Sequence, residues 1–238
     1  MANGIKLGNL DISAFKVGSG DCSIYLGETL IYSGGTTPPS PSEYTELEWI
    51  EMPQTSPYCA VQLVDSYSGY SSIWYDFTIL FNSLQDTRII CFEGSKSFLI
   101  GNGGYEIYLN INNRRIFTKN GFVTGTTYHL GLGNESDSSS TLYFKDLDTS
   151  TTLSSSYNTY LPRVQKPLFG AIIINNQYNV NEHSERIYSI KLYNNGNLIG
   201  DYIPVKRNSD NFVTLYDKVS EQYCDTVGGG TMVAGPVK

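Results

Sequence analysis

The sequence has little charge, no long apolar run and no apolar leader, and each shortage excludes a class of protein. Charged residues make up 16% of the 238 residues, and the net charge is -7. An acidic surface repels phosphate, so neither nucleic acid nor an anionic membrane is expected as a partner. The longest apolar stretch, around residues 169–174, is far too short to span a bilayer. Residues 1–6 contain no signal-peptide core, so secretion by the ordinary route is not expected.

Cysteine is also scarce, which argues against a thiolate metal site. The four cysteines are Cys22, Cys59, Cys91 and Cys224. They lie far apart in the sequence, form no C-x-x-C pair and have no adjacent histidine. Without an export signal, we expect them to be reduced thiols, most of them buried in the fold.

The abundant residues are those of β-sheets and turns. The sequence has 19 Tyr, 10 Phe and 23 Gly, and aromatic side chains fit a pleated, half-buried surface. Asn194-Asn195-Gly196 is typical of a tight hairpin. Alternation and turn signals predict an all-β sandwich. The clearest predicted strands are residues 60–64, 74–81, 88–92, 105–111, 126–132, 141–145, 168–174 and 187–193.

The first 34 residues contain a near-repeat of short alternating segments that each end at a glycine. Leu7, Val17 and Leu26 precede those glycines, and Ile31 follows the last one. A unit of about ten residues cannot bury its own apolar face, so this segment needs another surface to pack on. The Gly-, Pro- and Ser-rich stretch 35–42 predicts a linker. We therefore divide the chain into a β segment at 1–34, the linker, and a sandwich at 43–238.

The two ends of the sandwich region carry the sequence's clearest family resemblance. Residues 44–51 look like an opening strand, and residues 187–205 like penultimate strands. Residues 213–219 contain Leu-Tyr-Asp, and a glycine-rich end follows. Together they resemble the laminin-G/concanavalin A-like modules common in bacteriophage and gut-bacterial proteins. The resemblance implies a jelly-roll sandwich for residues 43–238, with a variable middle that carries ligand-binding loops.

The N-terminal repeat resembles the attachment segments of phage virion proteins. This resemblance implies a structural virion component, such as a head or tail decoration or fibre protein, made in the host cytoplasm. Leu7, Val17, Leu26 and Ile31 would then attach it to other virion proteins or to further copies of itself. The alternative is a free carbohydrate-binding module, or a glycosidase-like cell-surface protein of a gut bacterium.

The carboxylates do not form the pattern that glycosidases on this fold require. Such enzymes place two acids across a cleft, usually on an alternating acidic strand, and this sequence has no such string. Glu46, Glu48 and Glu51 come nearest, and we interpret them as the solvated face of an outer strand. His129 is interpreted as structural, and no Gly-x-Ser-x-Gly elbow accompanies either histidine. The protein is predicted not to be an enzyme.

Aromatic and amide side chains in two loops suggest where a sugar could bind. Tyr67 and Tyr70 lie in one Tyr- and Ser-rich stretch, and Asn176 and Tyr178 in an Asn-rich one. Aromatic faces against sugar rings and amides against hydroxyls would recognise host surface glycans. Tyrosine in the turns of a Tyr-rich sheet protein, or a general protein-binding surface, explains the same residues equally well.

The laminin-G resemblance also raises calcium, which loop carboxylates and carbonyls can hold. Asp65 and residues 134–137 are the candidate ligands. No spacing identifies a site, and we predict no cofactor.

Overall fold

The structure is a computed structural model, and it describes the chain in segments. These are residues 6–7, 10–11, 15–17, 22–26, 29–33, 43–53, 59–64, 72–82, 88–93, 96–100, 106–111, 114–120, 122–134, 141–156, 167–174, 177–180 and 185–238. Before residue 43, and at 88, 91–120, 154–156 and 171–180, only the backbone is described.

The chain divides into two compact units, Met1–Ser42 and Glu43–Lys238. In the first unit, β1 pairs with β2, and β3, β4 and β5 form an antiparallel three-stranded sheet. The bounds are β1 Lys6–Leu7, β2 Leu10–Asp11, β3 Phe15–Val17, β4 Cys22–Leu26 and β5 Thr29–Ser33.

The described part of the second unit is built from strands alone. They are β6 Tyr44–Glu46, β7 Ile50–Glu51, β8 Ala60–Gln62, β9 Ile73–Phe81, β10 Arg88–Glu93, β11 Lys96–Ile100, β12 Glu106–Ile111, β13 Arg114–Asn120, β14 Thr127–Asn134, β15 Leu142–Asp146, β16 Thr151–Ser156, β17 Leu168–Phe169, β18 Ala171–Ile174, β19 Gln177–Val180, β20 Glu185–Asn194, β21 Asn197–Arg207, β22 Val213–Asp217, β23 Gln222–Tyr223, β24 Asp225–Val227 and β25 Val233–Ala234. Among these residues no helix could cross a membrane.

Two antiparallel sheets make up most of this unit. The large sheet runs β16-β15-β14-β9-β20-β21-β22-β23, with β6 paired to β21 and β7 paired to β20 and β25. The small sheet runs β13-β12-β11-β10-β17-β8-β24, and β18 and β19 form a separate hairpin. Neighbours in the large sheet are far apart in sequence, as β9 lies between β14 and β20.

Apolar side chains from both sheets meet in one core, which makes the unit a sandwich. Phe77 of β9 and Phe169 of β17 are fully buried, and their rings meet edge-on at 6.0 Å between centroids. Val61 and Ile90 join the core from the small sheet, and Leu63 joins it from the residues that follow β8. Burying one such side chain contributes about 1.5–3 kcal/mol. The alternation in β9, with residues 73, 75, 77 and 79 buried, fixes which face turns inward.

A tight hairpin joins β20 to β21, the two longest described strands. Asn194 pairs with Asn197, and the two residues between them, Asn195 and Gly196, have φ values of +51° and +75°. Positive φ at both positions is the requirement of a type I′ turn, and Asn-Gly meets it at the lowest steric cost. The turn predicted from these residues is confirmed.

Two predicted strands are wrong as single elements. Residues 168–174 form β17 and β18 with a bend at Gly170, and the two belong to different sheets. A β carbon at Gly170 would overlap the sulfur of Met52, so the bend packs directly on another side chain. Residues 44–51 likewise form β6 and β7, because the chain turns away between them and pairs first with β21, then with β20.

A buried carboxylate explains the Leu-Tyr-Asp segment at the end of β22. Asp217 is fully buried, and its Oδ1 accepts hydrogen bonds from the amides of Asp201 at 2.8 Å and Val219 at 3.1 Å. Its Oδ2 accepts from the amide and the hydroxyl of Ser220. A buried polar group is stable only when it is hydrogen-bonded, and these donors join Asp217 to the turn after β22 and to β21.

Both cysteines whose side chains are described, Cys59 and Cys224, are free and buried, as expected. Burial raises the pKa of each thiol, and for Cys224 this desolvation is the largest influence. Buried thiols of this kind are inert.

Candidate functional site

The outward face of the large sheet carries a tryptophan, Trp74, which packs on a glycine of the neighbouring strand. Trp74 of β9 points away from the core, and β14 beside it has Leu130 and Leu132 buried inward and Gly131 outward. A β carbon at Gly131 would overlap Cζ2 of Trp74 and lie 2.9 Å from Cδ2 of Leu147. The six-membered ring of the indole therefore packs against backbone that has no side chain, which is one use of glycine inside a strand.

This indole borders a pocket of ≈ 340 Å³ that opens on the outer face. The lining residues are Ser72, Trp74, Asp76, Asn134, Leu147, Tyr193, Asn195 and Gly196. They come from β9, β14, the turn after β15 and the β20–β21 hairpin, so four parts of the chain meet here. A volume in this range suits a small ligand, with an aromatic wall and a few fixed polar groups.

The polar end of the pocket is held by its own hydrogen bonds. The Ser72 hydroxyl donates a hydrogen bond to the backbone carbonyl of Asn134 at 2.6 Å. The side-chain amide of Asn134 donates to the backbone carbonyl of Thr141 at 3.0 Å. The Asn195 amide donates to the carbonyl of Ser72 at 3.1 Å. The hairpin turn, β9 and β14 are thereby joined at this end, which preorganises the pocket wall.

His129 connects two carboxylates on the same face. Its Nε2 lies 2.8 Å from Oδ1 of Asp76, and its Nδ1 lies 3.1 Å from Oδ1 of Asp148. The His129 side chain is 34% exposed, that of Asp76 22% and that of Asp148 72%. Desolvation lowers the pKa of His129, but the hydrogen bonds and charges of Asp76 and Asp148 outweigh it, so the pKa is raised above 6.5.

The segment after β15 places Asp148 beside His129. The carboxylate of Asp146 accepts the amides of Asp148 and Thr149, which closes a tight turn. The amide of Leu147, a pocket residue, donates to the carbonyl of His129 at 2.9 Å. The pocket wall at Leu147 and the carboxylate of Asp148 are therefore carried by one short segment.

A lysine reaches the aromatic side of the site. The Lys145 ammonium lies 5.9 Å from the centre of the Trp74 ring and 4.8 Å from that of Tyr143. Ammonium groups at such distances are attracted to the ring faces. The outer face thus carries a cation beside the indole and carboxylates beside the imidazole.

The side chains of the loop residues predicted to bind sugar are not among those that the structure describes. Tyr67, Tyr70 and Asn176 lie outside the described residues, and Tyr178 is described only as backbone in β19. These assignments remain predictions.

The predicted attachment residues are placed on strands of the first unit by their backbone alone. Leu7 lies in β1, Val17 in β3, Leu26 in β4 and Ile31 in β5. Their role also remains a prediction.

The three glutamates near the first strand do not share one solvated face, contrary to the sequence interpretation. Glu48 is exposed and Glu46 half-buried, whereas Glu51 is only 9% exposed. The Nε of Arg186 donates to Oε2 of Glu51 at 2.6 Å, and the Arg186 guanidinium stacks on Trp49. Glu51 is therefore part of a structural ion pair.

The calcium candidates give no metal site within the described side chains, where no group of three or more His, Cys, Asp or Glu residues could hold an ion. The side-chain amide of Asn134 donates a hydrogen bond to the carbonyl of Thr141. Asp65 and residues 135–137 lie outside the described residues.

Sequence reasoning missed the pocket because its members are far apart in the chain. It recognised the strands of Trp74 and His129 but interpreted His129 as structural. The alternation Gly131-Leu132-Gly133 was the available signal: an otherwise regular strand with glycine on one face leaves room for a neighbouring ring or a ligand.

No protein-family model matches the chain, and no curated protein matches it. Among solved structures, it is similar to a Bacteroides ovatus protein named "putative carbohydrate binding protein" in its crystal structure. The TM-score is 0.51 at 11% sequence identity, over 90% of this chain and 68% of that one. This likeness concerns the fold, and with the two packed antiparallel sheets it confirms the predicted all-β sandwich.

Proposed function

We propose that the Glu43–Lys238 unit binds carbohydrate in the Trp74 pocket. The observation that carries the proposal is the half-buried indole, packed against Gly131 and bordered by fixed polar groups. The apolar face of a pyranose ring packs on such an indole, while its hydroxyls need hydrogen-bond partners at the rim. Asp76 supplies a carboxylate acceptor there, and Ser72 and Asn195 lie at the opposite end.

The size and chemistry of the pocket favour a terminal sugar residue as the ligand. About 340 Å³ holds one or two pyranose rings, and the β20–β21 hairpin limits the pocket at one end. Few polar groups around an aromatic wall are typical of small-molecule sites. The similar B. ovatus protein, whose name refers to carbohydrate binding, supports the same class of ligand.

A glycan array followed by isothermal titration calorimetry with a retained oligosaccharide tests the proposal. We expect Trp74→Ala to weaken binding at least about tenfold, the effect of losing roughly 1.4 kcal/mol from an aromatic anchor. Trp74→Phe should weaken it less, because a smaller ring still covers part of Gly131.

Trp49→Phe is the matched control. Trp49 stacks on Arg186, which pairs with Leu80, six residues along β9 from Trp74 and so roughly 20 Å away. It should leave binding unchanged. Equal losses in the Trp49 and Trp74 variants, or no retained glycan at all, would refute the Trp74 site.

The loop residues provide a competing location for the same function. A variant with Tyr67, Tyr70 and Tyr178 all changed to Ala should retain glycan binding if the Trp74 pocket is the site. Loss of binding in that variant, with Trp74→Ala unaffected, would move the function to the loops.

The virion role remains a prediction from the N-terminal resemblance, and it is compatible with glycan binding by an outward-facing sandwich. In a phage that encodes this chain, deletion of residues 1–35 should leave the protein soluble and absent from purified particles. Particles that still contain the shortened chain would contradict attachment through Leu7, Val17, Leu26 and Ile31.

The absence of enzymatic activity also remains a prediction. Incubation of the protein with a bound glycan should release no reducing sugar over hours, and release that Asp76→Asn abolishes would contradict it.

A further inference from the structure

We propose that His129 is the positioning residue of the Trp74 pocket, and that its doubly protonated ring fixes the Asp76 wall against the Leu147 turn. The effect on glycan binding rests on the proposed function. The positioning of Asp76 by His129 concerns the protein without ligand.

The hydrogen-bond chemistry requires the charged ring. Both ring nitrogens lie within hydrogen-bond distance of carboxylate oxygens, at 2.8 Å and 3.1 Å. An ionised carboxylate only accepts hydrogen bonds, and a neutral imidazole has a single N–H. Only the imidazolium can therefore donate to both Asp76 and Asp148.

The connection spans separate elements of the site. Asp76 lines the pocket from β9, whereas Asp148 follows Leu147 in the turn that β15 leads into. Because the Leu147 amide also bonds to the His129 carbonyl, the imidazolium and the backbone hold that turn at two points. Losing the proton releases one of the two carboxylates.

The charged side chains on the strands next to His129 support this assignment. β9 carries Asp76, and β15 with the turn after it carries Lys145, Asp146 and Asp148. On β20, Lys191 pairs with Asp76 in the ladder. Asp76 and Asp148 alone both bond to the ring and act on it as charges, and they raise its pKa.

The sign of the pH dependence follows from that raised pKa. The contribution of the protonated His129 ring to holding the pocket wall is complete below about pH 6.5. It is lost as the pH rises through the higher pKa that His129 has in the folded chain. Glycan affinity should therefore decrease with rising pH by about threefold or more across the titration of this ring, with no change in the fold.

The free protein provides the first test. A ¹⁵N NMR titration of the imidazoles should place the His129 pKa above that of an ordinary histidine, and the Trp74 indole N–H signal should shift with the same midpoint. His183→Gln and Trp49→Phe assign the signals, since the chain has only two histidines and two tryptophans. An ordinary pKa, or a Trp74 signal that ignores the titration, would overturn the proposal.

Two substitutions of Asp148 separate positioning from general stability. Asp148→Asn removes a charge and should lower the His129 pKa and flatten the pH profile of binding, whereas Asp148→Glu should restore both in part. Asp148 is 72% exposed, so neither change should unfold the chain. Identical titrations in both variants and the original protein would overturn the inference.

The experiments distinguish a failure of the proposed glycan binding from a failure of the proposed role of His129. If the NMR titration behaves as expected but no glycan on the array binds at either end of it, the proposed function fails and the positioning of Asp76 stands. If a glycan binds through Trp74 with equal affinity on both sides of the titration, the function stands and the role of His129 in binding is excluded.

Discussion

At the scale of single residues, the chain uses carboxylates in two different ways. Asp217 is fully buried and accepts hydrogen bonds from three backbone amides and one hydroxyl, so its role is structural. Asp76 lies on the outer face, and its bond to His129 leaves the rest of the carboxylate to border the pocket. Burial and the number of donors separate the two roles.

Asp217→Asn should destabilise the sandwich by about 2–3 kcal/mol, because an amide group replaces an oxygen that faces N–H donors. Urea unfolding followed by fluorescence measures the change. Asp225→Asn, at an exposed position in β24, is the control and should change the free energy of unfolding by no more than about 0.5 kcal/mol. Equal effects would contradict the anchoring role of Asp217.

Gly131→Ala should weaken glycan binding by about tenfold or more, because a β carbon there collides with Trp74 and Leu147 and lifts the indole. Calorimetry measures the affinity, and near-ultraviolet circular dichroism reports the changed environment of the ring. Unchanged affinity with a shifted dichroism signal would show that the position of the indole is unimportant for the ligand.

At the scale of elements, the β20–β21 hairpin contributes both to the sheet and to the site. Asn195 and Gly196 line the pocket and also form the turn that sets the register of the two longest described strands. The same backbone geometry therefore serves folding and recognition.

Gly196→Ala should cost about 1 kcal/mol or more of stability, since its φ of +75° disfavours a side chain. Asn195→Gly should be tolerated within about 0.5 kcal/mol, because glycine readily adopts positive φ. Thermal unfolding of the two variants compares them directly. A larger loss for Asn195→Gly would mean that the Asn195 side chain, rather than the turn geometry, matters.

Strands with regular alternation could be predicted from the sequence, and the junctions between sheets could not. Residues 74–81 lie in β9 and 187–193 in β20, where buried and half-buried positions alternate over residues 73–79 and 189–193. The apolar run 168–174 offered no such period, so the bend at Gly170 was missed. Gly170 has a φ of +84° and packs against Met52, which lies more than 100 residues away in the sequence.

The candidate site could not be predicted because it depends on register. Trp74 lies over Gly131 since β9 and β14 pair with Gly131 opposite Asp76 and Gly133 opposite Trp74. A shift by one residue would turn these side chains to the other face. Composition and alternation identify both strands, but nothing local specifies which residues face each other.

At the scale of the whole molecule, the chain is two units joined near residue 42, and the candidate glycan pocket lies entirely in the second. A fragment of residues 43–238 should therefore fold alone and unfold in urea at the midpoint that the full chain shows for the sandwich. It should also bind the same glycan with the same affinity. A fragment that aggregates or binds more weakly would show that the first unit supports the second.

The order of strands in the large sheet has a consequence for how the protein is made. β7 is among the first strands of the sandwich to be synthesised, yet its partners β20 and β25 begin more than 130 residues later. At about 5–20 residues per second, that delay is roughly 7–27 s. During this time the early strands have open edges, and contacts between distant segments close slowly. Nascent chains of this protein should therefore depend on chaperones until the last quarter of the sequence has been translated.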